Sequence, residues 1–162
     1  KKIALLTGPE HMSIGKNRMK GYLKAMTINK LEINTDYIVR CEDFSVKSAK
    51  EATNRLLNLK NIPDAIFGIN DDMAIGAIEA IKEKGLKIPE DIAVFGFSNT
   101  KRSRYMNPSV STVNQFPEKI GEIAAELLFE QILTPKHAQI REEVVNCELL
   151  IRESSDRSYL ND

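Results

Sequence analysis

Asn70, Asp71 and Asp72 close an apolar run in the stretch FGINDDMAIGAIEAI, and helical spacing begins directly after them. Polar groups gathered where a buried strand hands over to a helix can hold a small polar ligand. An amide both donates and accepts, and a carboxylate accepts from hydroxyls. Residues of similar chemistry stand at the other handovers. Ser13 and Arg18 follow the first apolar run, Phe44 follows the second, and Ser98 and Asn99 follow the fourth. A guanidinium fork suits oxygen pairs, an aromatic face stacks on an apolar ring, and a hydroxyl completes the set. Each residue also has a simpler reading. Asn70 or Asp71 is an N-cap, two acids suit the positive end of a helix, Arg18 is a solvated surface residue, and Phe44 is a staple against its own helix. Each simpler reading explains one residue only, and their coincidence of position favours a ligand.

The elements that must position these residues follow from periodicity. Residues 3–7 (IALLT) form a short apolar run closed by Gly8-Pro9, the pattern of a strand buried on both faces. Ser13 is expected to cap a helix with Met19, Tyr22, Leu23 and Met26 on one face. Residues 37–41 read as a second strand, followed by a helix opened by Ser45 with Ala49, Ala52, Thr53, Leu56 and Leu57 inward, stopped at residues 61–63. Residues 65–69 make a third strand. The helix after it carries Ala74, Ala77, Ile78 and Ile81 inward and has Gly85 as its C′ residue. Residues 92–97 make a fourth strand. This alternation predicts an α/β fold, a doubly wound parallel sheet with helices on both faces. In such a sheet ligands bind at the carboxyl ends of the strands, where all of the residues above are found. Beyond residue 97 the rhythm breaks. We expect a polar loop with the basic cluster Lys101, Arg102 and Arg104 beside Tyr105, then a short strand in VSTV. A helix opened by Pro117 carries Ile120, Ile123, Ala124, Leu127 and Leu128; a last strand spans 142–151, and a polar tail frays from Arg152 on.

The totals narrow the function. With 162 residues and 42% apolar content, the chain can bury about 70% of its unfolded surface in one domain. Basic and acidic residues balance at 23 each, so no overall field draws it to nucleic acid or an anionic membrane. Cys41 and Cys147 are far apart and in no CxxC spacing, which suits reduced cytoplasmic thiols, with a single bridge left open. No apolar stretch approaches the roughly 20 residues of a membrane span, and the start carries no secretory h-region. His11 and His137 stand alone, so no metal site is expected. No GxSxG, P-loop, GxGxxG or HExxH is present, so neither an enzyme nor a cofactor is expected. A receiver domain would carry its acidic pair after the first strand, and here the pair follows the third.

The stretch IPDAIFGINDDMAIGAIEAIKEKGLKIPEDIAVFGFSNTKRSRYMNPSVSTV resembles the lactose-repressor/galactose-repressor (LacI/GalR) family of bacterial transcription regulators. IALLTGPEHMSIGKNRMKGYLKAM and CELLIRESS are similar to further segments of it. The resemblance covers nearly the whole chain, and only the C-terminal part of a family member. It implies a periplasmic-binding-protein-like sensor, type I, of two α/β subdomains with an effector in the cleft between them. Residues 1–110 would form the C-terminal subdomain, 111–140 a crossover and a helix of the N-terminal subdomain, and 141–162 the closing strand and tail. The helix-turn-helix headpiece would lie outside this chain. Arg18 is similar to the family's effector-clamping arginine, Phe44 to its stacking aromatic and Asn70 to its effector-binding asparagine, with Asp71 beside it. Ser98 stands where many members have aspartate, which favours an anionic ligand beside Arg18 over a neutral sugar.

The function implied is that of a cytoplasmic repressor or activator, not an enzyme. A sugar or sugar derivative, or as second choice a purine, would set the orientation of the subdomains and so the grip of the headpieces on operator DNA. A homodimer follows, with part of its contact in residues 98–105, and no membrane is involved. The alternative is the sugar-binding component of a transporter. An enzyme with Asp71 as base lacks a second acid or nucleophile near it. Without its subdomain, the helix after Pro117 should expose an apolar stripe or pack elsewhere, as in a swap between chains.

Overall fold

Strand β1 (Ile3–Thr7) is buried along most of its length because it lies inside a four-stranded parallel sheet, between β2 (Ile38–Arg40) and β3 (Ala65–Gly68). Strand β4 (Ala93–Phe95) pairs with β3 and gives the order β2-β1-β3-β4. Register sets Leu5 beside Ile38 on one side and Phe67 on the other. The computed structural model describes residues 1–133 and 141–158. His137 lies outside the described residues.

The helices follow the apolar spacing. Helix α1 (Ser13–Ile28) buries Tyr22 and Met26, with Met19 and Leu23 packed against the core. A 3₁₀ turn at Thr35–Tyr37 leads into β2. Helix α2 (Val46–Leu57) is capped by Ser45, whose hydroxyl accepts from the Ser48 amide. Helix α3 (Asp71–Glu83) packs along α2, with Gly76 against the α2 backbone. Its N-cap is Asn70. At its other end Gly85 takes φ +73, with its amide on the Lys82 carbonyl and the Leu86 amide on that of Ile81. Only a residue free of Cβ crowding adopts that left-handed turn cheaply, so Gly85 is the C′ residue expected of it. Side chains alternate across a strand, so Ile66 and Val94 are buried while Phe67 and Phe95 lie on the opposite face. There the two rings meet edge to face, 6.5 Å apart, and with Tyr22, Met26 and Leu149 they line an apolar groove of about 390 Å³.

Four expectations change. Helix α1 begins at Ser13 itself and its N-cap is Met12, with no side-chain cap, so Ser13 does not cap it. The basic loop contains a short helix, α4 (Lys101–Tyr105), because the Thr100 hydroxyl caps it by accepting from the Ser103 amide. The last strand is reduced to β6 (Glu148–Leu150), which pairs antiparallel with β5 (Thr112–Asn114) in a separate two-stranded ribbon. The tail does not fray at Arg152. Ser154 is fully buried, its amide oxygen takes the Val94 N–H and its hydroxyl donates to the Val94 carbonyl, so these residues complete the outer edge of β4. Hydroxyl-rich residues suit that place because they satisfy backbone groups a strand edge leaves open.

The ribbon carries the chain out to helix α5 (Pro117–Leu133) and back. Helix α5 buries none of its residues, and Ile120, Leu128, Phe129, Ile132 and Leu133 are all exposed.

Candidate ligand-binding site

The order of the sheet reverses between β1 and β3, and at such a switch point the loops diverge and open a crevice at the carboxyl ends of the strands. Arg18, early in α1, reaches across it. One terminal nitrogen donates to the Ile69 carbonyl beyond β3, and the other lies 3.4 Å from the side-chain oxygen of Gln115, just before α5. The guanidinium sits 3.7 Å over the centroid of the Phe97 ring, a cation–π stack. Burial pulls its pKa down and the negative charge of Asp71 pulls it back up; arginine stays charged throughout.

Asn70 ends the same strand. Its side-chain oxygen accepts from the Met73 amide at 2.8 Å, which caps α3, while its nitrogen donates to the Phe44 carbonyl at 3.2 Å. The Phe44 ring is half-buried and lies directly on Gly8, where any side chain would collide with it. Asn70 therefore ties the end of β3 to that of β2, and the Phe44 ring carries the contact on to Gly8 at the end of β1.

Asp71 is placed differently from the others. It is fully buried; one carboxylate oxygen accepts from the Thr100 amide and the other from the Thr112 hydroxyl, both at 2.6 Å. With both oxygens engaged and no exposed surface, it anchors the site from behind and does not line it. Ser98 follows β4 with φ 120, its amide donates to the Val113 carbonyl, and its hydroxyl accepts from Gln115 at 3.2 Å. Asn99 follows in the left-handed region, with its oxygen held by Arg152 at 2.6 Å. Ser13 is exposed on the first turn of α1 and makes no hydrogen bond to this cluster.

The structure thus gathers Arg18, Ser98, Phe97 and Gln115, with Asn70 and Phe44 adjoining through Ile69. Sequence reasoning missed Phe97 and Gln115. Phe97 reads as the end of an apolar strand; Gln115 sits two residues before the Pro117 that starts a helix, and nothing local marks it. Among the described residues no group of acids, cysteines and histidines could hold a metal.

A parallel sheet wound on both sides, open at its switch point and lined there by a cation, amides and aromatic faces, defines a ligand-binding unit of the periplasmic-binding-protein kind. The model of the periplasmic binding protein-like domain matches residues 1–155. The chain belongs to that family, as a sensor domain of the LacI/GalR type. A probable HTH-type transcriptional repressor, ExuR of Bacillus subtilis, is 38% identical over 155 residues, which are 96% of this chain and 46% of that repressor. The chain spans about half the length of the curated relatives it matches. Among solved structures, the transcriptional regulator CelR in complex with cellobiose is 30% identical, with a TM-score of 0.85 over 95% of this chain and 46% of that one. The lac repressor dimer bound to operator and the anti-inducer ONPF is 30% identical, with a TM-score of 0.84 over 95% of this chain and 52% of that one. These relatives are regulators and not enzymes. Among the described residues no helix is long and apolar enough to cross a membrane.

Proposed function

We propose that this chain is the effector-sensing part of a DNA-binding transcription regulator, and that a small molecule, a sugar or sugar derivative, binds at the crevice around Arg18. The observation that carries this reading is Arg18 itself. A half-buried guanidinium that spans from α1 to the end of β3 and to Gln115 is costly to desolvate, and its remaining N–H groups find no partner among the described residues. A ligand with oxygen atoms supplies those partners. Ser98, Asn70 and Gln115 add neutral hydrogen-bonding groups, and the apolar faces of Phe97 and Phe44 suit a ring.

Gln115 directly follows β5, on the segment that leads out to α5, so a ligand held between Arg18 and Gln115 touches both the sheet and the end of the ribbon. Binding then biases the orientation of α5 and whatever packs on it, the differential contact that allosteric control of operator binding requires. The regulator works as a homodimer on operator DNA through a headpiece outside this chain, with residues 98–105 in the dimer contact. That the relatives are repressors favours a regulator over a transporter component.

The test is a thermal-shift screen of the full-length protein against neutral sugars, sugar acids, sugar phosphates and purines, with Arg18→Ala alongside. A ligand at 100 times its dissociation constant adds about 2.7 kcal/mol of stability. Arg18→Ala is expected to abolish the rise. If the variant responds as the parent does, the site lies elsewhere.

A further inference from the structure

The charge balance of the crevice specifies the kind of ligand, on the reading that this edge takes the effector. Asp71 is, among the described residues, the only fully buried charged side chain, and its negative charge acts on two guanidiniums, those of Arg18 and Arg152. Neither forms an ion pair with it: Arg18 holds Ile69 and Gln115, and Arg152 holds the Val110 carbonyl and Asn99. Arg104 acts on Arg152 as well, so among these interacting groups the cations outnumber the one carboxylate.

Among the described residues no carboxylate forms an ion pair with either guanidinium, and two acids at neighbouring strand ends are engaged elsewhere. Glu10 pairs with Arg40 at the far edge of the sheet, and Asp43 accepts from the amide and hydroxyl of Ser45. Of the aspartates and glutamates, Asp71 alone acts on the charge of Arg18. The side chains beside the guanidinium, Ser98, Gln115 and Phe97, are all neutral. A half-buried cation with neutral neighbours is unfavourable when empty and strongly attracts an anion, because charge-assisted bonds to a guanidinium are roughly twice as strong as neutral ones.

We infer that the effector carries an acidic group, a carboxylate or a phosphate on a small hydroxylated body, and that this group pairs with Arg18 while Ser98 and Gln115 take its hydroxyls. A neutral sugar leaves the excess charge where it is.

Galacturonate, glucuronate, galactose 6-phosphate, glucose 6-phosphate, galactose, glucose and adenine, titrated into the full-length protein by calorimetry, decide the matter. At least one acid should bind about tenfold or more tightly than the neutral sugar of the same stereochemistry. Comparing uronates with phosphates then tells which acidic group fits. Ser98→Asp sets a carboxylate beside Arg18 and should weaken the acid about tenfold or more while sparing any neutral sugar. Should that variant fold poorly, raising the salt concentration with the parent protein serves instead, since screening weakens the acid and leaves a neutral ligand unmoved. A neutral sugar or adenine that binds as tightly as any acid overturns the charge inference and leaves the effector reading standing. Binding in no arm, with or without charge, overturns the effector reading itself.

Discussion

At the scale of single residues, Asp71 and Arg18 divide the work. Arg18 offers donors to the crevice, and Asp71 holds the backbone that frames it. Asp71→Ala strands a backbone N–H and a hydroxyl inside the protein, so we expect a loss of about 3 kcal/mol in urea unfolding, with Asp71→Asn losing less because it keeps one acceptor. An unchanged midpoint in Asp71→Ala would mean that Thr100 and Thr112 find other partners. The cysteines differ in the same way. Burial, offset in part by Ser48, raises the Cys41 thiol from 9.0 to about 11, whereas Cys147 is exposed and both are free. A raised thiol pKa in the folded state gives a contribution that is whole below 9.0 and fades as the pH climbs toward about 11. Unfolding midpoints should fall across that window, less steeply in Cys41→Ala. A thiol reagent at neutral pH should label Cys147 in the native protein and Cys41 only once it unfolds.

At the scale of elements, the caps are where structure and site overlap. Asn70 closes the first turn of α3 and reaches back to the Phe44 carbonyl, so Asn70→Ala removes both bonds. The cap alone is worth about 1 kcal/mol. We expect a loss of about that size together with faster hydrogen exchange at Met73, and a loss of stability without change at Met73 would move the effect to the Phe44 contact. These elements were legible because their signals are local. Ser45 before an apolar stripe and Gly85 after one mark helix ends by their own backbone chemistry. Helix α4 was not, since a turn of helix with no apolar period looks like loop until the Thr100 cap is seen in place.

The molecule as a whole has a packed sheet and one appended helix. The core of Leu5, Leu6, Ile66, Ile78 and Val94 is fully buried, while α5 at the end of the β5–β6 ribbon buries nothing. Charged residues on α5 should therefore leave the core unmoved. Phe129→Glu combined with Leu133→Glu is expected to change unfolding by less than about 0.5 kcal/mol and to lower dye binding and light scattering of this chain. A large loss of stability would show that α5 contributes to the core after all. The exposed apolar side chains of α5, Ile120, Leu128, Phe129, Ile132 and Leu133, set it apart from the three helices packed on the sheet.

The sequence by itself determined the parallel sheet, its three covering helices and the edge where Arg18, Asn70 and Ser98 meet, because apolar period, caps and strand alternation are read within a few neighbouring residues. Tertiary structure decided what each side chain does there. Asp71 and Asn70 are adjacent and chemically alike, yet one is sealed behind Thr100 and Thr112 and the other caps a helix at the crevice. Phe97 and Gln115 joined Arg18 from positions 79 and 97 residues further along the chain, a proximity that only the closing of the sheet and ribbon creates. The tail from Arg152 was settled in the same way, since serines that look solvated in sequence become the edge of β4 once Val94 offers them its backbone.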